Sequence, residues 1–332
     1  MAWLLLNSLK STPNNYPSYF NSNAYIFGKG LPKNLHFCND TLPANDLSVK
    51  ENIQKEFVES GIFYDKKSIQ YLFAKVQRWF PYIEPIIEKN GLPDDIKFIA
   101  IIESHLSNIT SPMGAKGFWQ LLPETARNYG LEVNEYIDER LDVEKSTTAA
   151  CKLIKSAYNE LHNWPLAAAA YNYGINGIKS QIEKQNANSY YQLNLNNETK
   201  EFVYKIIVYK SVLTYPEFFG IRKKPAYQTT KRVALKFITI DSTITDIKYL
   251  AQYLHCPTLL LKAFNPWLIT NQLPNPDHKK YVFKIPINVK ADYSGYIADL
   301  LYFNNTDDLK EKYDTIIKKD STTLHIDKSI SE

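Results

Sequence analysis

The chain has 332 residues, 44% of them hydrophobic and 22% charged, and its formal net charge is +4. That length suits one large or two modest domains, and the composition is that of a soluble globular protein. The small positive charge excludes a strong electrostatic case for nucleic acid and mildly favours a polyanionic envelope polymer as partner.

The first 45 residues are rich in Asn, Ser, Pro and Tyr, lack periodicity and read as an extended arm. Ala2 to Leu6 is apolar, too short to span a membrane and without a basic flank, which fits at most the remnant of an export signal. From Val49 the pattern turns helical, and Ile69, Leu72, Phe73, Val76 and Phe80 keep the 3.6-residue spacing of a buried stripe. The same reasoning predicts helices at Ile96–Ser104, Glu124–Tyr129, Glu144–Leu161, Trp164–Tyr173 and Thr199–Leu213, with Gly174 and Gly177 closing the Trp164 segment. After Gly220 the texture changes. Lys223 to Pro225 reads as a linker, Val233–Ile240 as a strand, Thr245–Leu254 and Leu259–Phe264 as helices, and Tyr281–Pro286 as a closing strand. Tyr293 to Tyr302 offers one more helix or a docking segment, and Lys318 to Glu332 a frayed end.

Three stretches carry the chemistry. Glu103 shares a helix face with Ile96, Ile99 and Ala100, so its carboxyl is desolvated and its pKa raised, as a general acid requires. A lone glutamate on such a face is more often structural, and its neighbours decide the matter here. Gly114 and Gly117 bracket a tight turn followed by Phe118, Trp119 and Gln120, an aromatic–amide combination suited to sugars. Four alanines, Ala167 to Ala170, allow close helix packing that presses Tyr171 and Asn172 toward a neighbouring helix or a cleft. His105 lacks a second ligand nearby and reads as a helix-end polar residue. Cys38, Cys151 and Cys256 are far apart without a Cys-x-x-Cys. There is also no His-Glu-x-x-His, phosphate loop or Gly-x-Ser-x-Gly elbow.

The Glu103-Ser104 pair, the Gly114 to Gln120 turn and the Ala170 to Gly174 segment, in this order and spacing, resemble the first three motifs of the soluble-lytic-transglycosylase-like family. The likeness is greatest to the membrane-bound lytic transglycosylase D type. A fourth motif is present in altered form at Glu198 to Val203, with Phe202 where that family has tyrosine. The resemblance covers roughly Leu92 to Gly220. It implies a mainly α chain: a lysozyme-like all-α catalytic domain over 46–222 and a small α+β module over 223–292, flanked by the arm of 1–45 and a tail of 293–332. The strand-helix-helix-strand order of the module resembles the LysM glycan-binding type, although Asp241-Ser242-Thr243 replaces its usual Gly-Asp-Thr turn. A packing domain that only supports its neighbour remains open for it.

The resemblance further implies a peptidoglycan-cleaving enzyme of the periplasm or envelope, with peripheral envelope association and neither metal nor cofactor. Glu103 is then the single acid and base. Ser104, Gly117, Phe118, Gln120, Tyr171 and Asn172 hold the glycan strand. Asp94, Asp95, Glu124 and Asp142 each sit where a helix start explains them. Two rivals stay open, a hydrolytic lysozyme on the same fold and a non-catalytic wall-binding protein.

Overall fold

The computed structural model describes residues 31–32, 34–60, 66–221 and 232–301. The expected signal remnant, the linker at Lys223–Pro225 and the frayed C-terminus lie outside them. The chain divides into two compact units, Met1–His105 with Ala150–Thr230, and Leu106–Ala149 with Lys231–Glu332.

The first unit is helical. Its Leu47–Glu59 helix starts where the Asp46 carboxylate accepts the N–H groups of Ser48 and Val49 at 2.8 and 3.2 Å, and it buries Val49, Ile53 and Phe57. The Lys66–Lys89 helix carries the predicted stripe, with Ile69, Leu72, Phe73 and Phe80 buried, and tolerates Pro81 and Pro85 in its interior. Lys97–Ser104 follows a single 3-10 turn at Asp94–Ile96, and Ile96, Ile99, Ala100 and Ile101 are completely buried. Trp164–Tyr173 has the predicted bounds: Asn163 caps it by accepting from the Leu166 N–H, and Pro165 sits in its first turn. Asn197–Thr214 is the hub, packing on Leu47–Glu59, Lys97–Ser104 and Trp164–Tyr173.

Two elements here differ from expectation. Gly174 does close the Trp164 helix, but a further helix, Ile175–Gln185, begins immediately after it and contains Gly177. A side chain at Gly177 would meet the Tyr173 ring at 2.7 Å, so that glycine makes room for a ring and does not stop a helix. Within the expected arm, His36–Phe37 and Asp40–Thr41 pair as a two-stranded antiparallel hairpin, a run too short to show periodicity.

The second unit holds the predicted strand-helix-helix-strand module. Leu235–Ile240 pairs antiparallel with Tyr281–Pro286, in register from Leu235 with Pro286 to Ile240 with Tyr281. Helices Ile247–Tyr253 and Thr258–Phe264 pack beneath on a core of Leu260, Leu261, Trp267, Leu273 and Phe283, and Ser294–Leu301 supplies the further helix. Leu106–Ala149, expected within the preceding domain, groups with this module. Ile137 bridges Leu268 and joins its core, and the Asp138 N–H donates to the Trp267 carbonyl at 2.7 Å. Among the described residues no helix is long and apolar enough to cross a membrane.

Candidate active site

The Lys97–Ser104 helix ends at a left-handed residue. His105 takes φ 49° and ψ 40°, and its N–H closes the last turn on the Ile101 carbonyl at 2.8 Å. A left-handed histidine is uncommon. Here its carbonyl accepts from Lys75 Nζ at 3.1 Å and its Nε2 meets the Tyr209 hydroxyl at 3.1 Å. His105 is therefore the helix-end polar residue expected of it. Glu103 stands in the final turn, with Ser104 beside it.

The Glu103 side chain keeps partial access to solvent. It nevertheless lies deep among protein atoms, and that desolvation, with the negative charge of Glu198, pushes its pKa up to about 8. Among the described residues its carboxyl has no hydrogen-bond or ion-pair partner. The result is a carboxyl that is mostly protonated at neutral pH and uncommitted, the two properties of an available proton donor. Ser104 is buried, and its hydroxyl donates back to the Ala100 carbonyl of the same helix at 3.1 Å.

Tyr171 and Asn172 come from the alanine-rich helix, whose Ala167 to Ala170 are all buried. The Tyr171 phenol is raised far above its ordinary pKa, first by burial and then by the charge of Glu103, so the sequence-predicted Tyr171 and Glu103 are electrostatic neighbours. Asn172 faces the start of the Asn197–Thr214 helix. Its Nδ2 donates to Glu198 Oε1 at 3.0 Å, and its Oδ1 accepts from Thr199 Oγ1 at 2.6 Å. Phe202, one turn further on, is buried.

Glu198 and Thr199 are the residues in contact with this cluster that the sequence did not single out. Both stand in the altered fourth motif, but Glu198 there looks like an ordinary acid in a helix first turn. Its bond to Asn172 and its charge toward Glu103 appear only once two distant helices are packed.

Gly117, Phe118 and Gln120 lie in the second unit, in a turn that is satisfied from within. Gly117 takes φ 80°, and a side chain there would come within 2.0 Å of the Arg140 carbonyl oxygen. The close backbone approach that this glycine permits is thus to the protein's own chain. Arg140 is buried, pairs with Asp138 at 2.7 Å, and donates to the Gly114 and Leu121 carbonyls at 2.8 and 3.0 Å. Phe118 and Trp119 are completely buried, and Trp119 Nε1 donates to Thr147 Oγ1 at 2.8 Å. Gln120 is left-handed at φ 47°, and its amide nitrogen donates to the Ile109 and Gly117 carbonyls at 3.0 and 2.7 Å. Its nitrogen holds the turn.

In the module, Asn265 and Trp267 are internal. Asn265 donates to the Leu261 and Lys284 carbonyls at 2.7 and 2.8 Å and accepts from the Lys284 N–H at 2.8 Å, while Trp267 is only 2% exposed. Exposed aromatic rings among its described residues include Phe237, Tyr249 and Tyr253.

Residues 82–194, which include Glu103, the Gly117 turn and Tyr171-Asn172, match the family model described as the transglycosylase SLT domain. Residues 82–194 thus carry a transglycosylase SLT domain. Residues 236–289 match the soluble lytic transglycosylase C-terminal LysM-like domain. The membrane-bound lytic murein transglycosylase D of Escherichia coli (strain K12) is 29% identical over 231 residues, which are 68% of this chain and 48% of that protein. The chain spans about half the length of the curated relatives it matches. Two solved structures are also similar. The 70 kDa soluble lytic transglycosylase of Escherichia coli is 19% identical, with a TM-score of 0.37 over 46% of this chain and 26% of that one. The lytic transglycosylase Slt of Pseudomonas aeruginosa is 18% identical, with a TM-score of 0.36 over 54% and 31%. The two domain assignments rest on the sequence matches.

Proposed function

We propose that this SLT chain is a lytic transglycosylase of peptidoglycan, acting in the periplasm or at the envelope. The observation that carries the proposal is the Glu103 carboxyl, partly solvent-accessible, unpartnered among the described residues and raised to about 8. Such a group donates a proton at neutral pH without first breaking a bond.

Glu103 protonates the glycosidic oxygen between N-acetylmuramic acid and N-acetylglucosamine, and the C1–oxygen bond breaks. The carboxylate left behind takes the proton of the muramyl 6-hydroxyl, whose oxygen forms the new bond to C1. The products are a 1,6-anhydro end and a free 4-hydroxyl, with the acid restored and no water consumed. Tyr171 borders the acid, and Asn172, fixed by Glu198 and Thr199, orients sugar hydroxyls or the N-acetyl group. Ser104 contributes through its place beside Glu103. Gly117, Phe118 and Gln120 are assigned to the substrate by family resemblance alone.

One observation favours a second reading. Glu198 is a carboxylate close enough to raise the Glu103 pKa, and a second carboxylate is what a hydrolytic glycosidase uses to activate water. Digestion of purified peptidoglycan followed by mass analysis of the released fragments decides between them. Anhydro ends support the transglycosylase, reducing ends the hydrolase, and no release overturns both.

A further inference from the structure

Within the second unit, residues 138–142 run between the LysM-like module and the turn that carries Gly117, Phe118 and Gln120. Both ends of this segment are tied to the module. The Asp138 N–H donates to the Trp267 carbonyl at 2.7 Å, and the Lys284 ammonium pairs with the Asp142 carboxylate at 2.8 Å. Lys284 also pairs with Glu144, in the first turn of the Val143–Leu161 helix. It stands on the Tyr281–Pro286 strand, and Asn265 fixes its backbone there. The Lys284 N–H donates to Asn265 Oδ1 and its carbonyl accepts from Asn265 Nδ2, each at 2.8 Å.

Arg140, in the middle of the segment, carries the contact onward to the turn. Its Nε and Nη2 donate to the two Asp138 carboxylate oxygens at 2.8 and 2.7 Å, and its Nη1 donates to the Gly114 and Leu121 carbonyls at 2.8 and 3.0 Å. Those two carbonyls flank the turn. From inside it, Lys116 Nζ reaches Asp138 Oδ2 at 3.3 Å, and Gly117 lies against the Arg140 carbonyl oxygen. Asp138, Arg140 and Asp142 are all buried. A buried charge that loses its partner is costly, so these groups keep their geometry together.

We propose that Lys284, a residue of the LysM-like module, is a positioning residue for the glycan-holding turn. By holding Asp142 it fixes residues 138–142, and Arg140 passes that constraint to the carbonyls at both ends of the turn. The inference rests on the proposed assignment of Gly117, Phe118 and Gln120 to the glycan strand. Glu103 belongs to the first unit, and its pKa is set by burial and by Glu198. A loosened turn therefore weakens the hold on the strand and leaves the acid as it is. A lysine that only stabilised the module would loosen module and turn together.

Hydrogen–deuterium exchange on the full chain tests the tie. Binding of soluble, stem-free glycan strands by the Glu103→Gln chain, in which turnover is expected to be blocked, tests its purpose. Lys284→Gln should speed exchange of the turn amides of Lys116, Gly117 and Gln120, which donate to the Leu121, Ile109 and Gly117 carbonyls. The rise should be at least about tenfold, the usual range for a hydrogen bond to a charged group, and strand binding should weaken by a similar factor. The Leu235–Ile240 strand should stay as protected as before. Lys284→Arg keeps the ion pair and should restore both readings. With Glu103 intact, Lys284→Gln should raise KM and leave kcat and the alkaline limb of its pH profile in place. Arg140→Lys, which keeps the charge and loses the fork, should give the same exchange and binding changes, and if it does not fold the Lys284 variants decide alone. Unchanged turn exchange in Lys284→Gln, equal loosening of turn and strand, or a loosened turn with unchanged binding would each overturn the proposal. So would failure of Lys284→Arg to restore, or no strand binding at all. Reducing ends or no release from the parent chain would overturn the proposed function and leave the exchange and binding results standing.

Discussion

Asn172 donates its amide to the Glu198 carboxylate at 3.0 Å, and the charge held there is one of the two causes that keep the Glu103 proton in place. The other, larger cause is desolvation. The two act in the same direction but are separable by mutation. Burial belongs to the helix packing, whereas the charge belongs to one side chain.

Glu198→Gln should therefore lower the Glu103 pKa while keeping a hydrogen-bond acceptor for Asn172. On the proposed mechanism Glu103 must be protonated to act as the acid, so activity falls as pH rises through its pKa. The alkaline limb of the pH–rate profile, expected near pH 8, should move to lower pH in Glu198→Gln. An unmoved limb would show that the Glu198 charge does not reach the working acid, and a complete loss of turnover at all pH values would favour Glu198 as water activator.

The same shift makes a stability statement. A carboxyl whose pKa is raised in the fold stabilises the fold at low pH, and that contribution is lost as pH rises through about 8. Glu103→Gln removes the ionisation, so the variant should be more stable than the parent at pH 9. The gain should be one to a few kcal/mol, since each pKa unit corresponds to ~1.4 kcal/mol and partial solvent access reduces the full figure. At pH 5 the two should differ little. Denaturant melts at both pH values check this, and an equal difference at both would refute it.

Phe202 stands buried where the resembling family has a tyrosine. A hydroxyl introduced by Phe202→Tyr, if it donates to the ionised carboxyl, should lower the Glu103 pKa and again pull the alkaline limb down, with a measurable change in rate. Tyr204 does not compensate for its absence. It lies about 200° further round the helix, among Tyr190 and Tyr191. If limb and rate are both unchanged in Phe202→Tyr, the position serves packing alone.

Gly117→Ala should destabilise the second unit by roughly 2 kcal/mol or more, because a β-carbon at φ 80° would press on the Arg140 carbonyl oxygen. The measurement is a thermal melt. An unchanged midpoint would mean that the turn yields to the added carbon.

Most of the fold was legible because the helices announce themselves with local signals. Asn163 and Pro165 mark the start of the Trp164 helix, and the spacing of Ile96, Ile99 and Ala100 marks the face that Glu103 shares. The hairpin at His36 to Thr41 and the helix after Gly174 were not legible. The first is too short for a period, and the second follows glycines that ordinarily signal an end. The grouping of Leu106–Ala149 with the module depends on pairing between Ile137 and Leu268, residues too far apart in sequence for any local rule. The same holds within the site. The acid was readable from its own helix, whereas Glu198 becomes its electrostatic neighbour only through packing. Trp267 belongs to the module core, which its sequence neighbours Asn265 and Pro266 do not reveal.

The central claim is that Glu103 alone donates and recovers the proton. Turnover of purified peptidoglycan by Glu103→Gln and by the parent chain, with mass analysis of the fragments, tests it most directly. The variant should keep its fold and lose at least about a hundredfold in rate, the low end of what general acid catalysis supplies. The parent should release fragments ending in 1,6-anhydro sugar. Near-normal cleavage by Glu103→Gln, or reducing ends from the parent, would contradict the account.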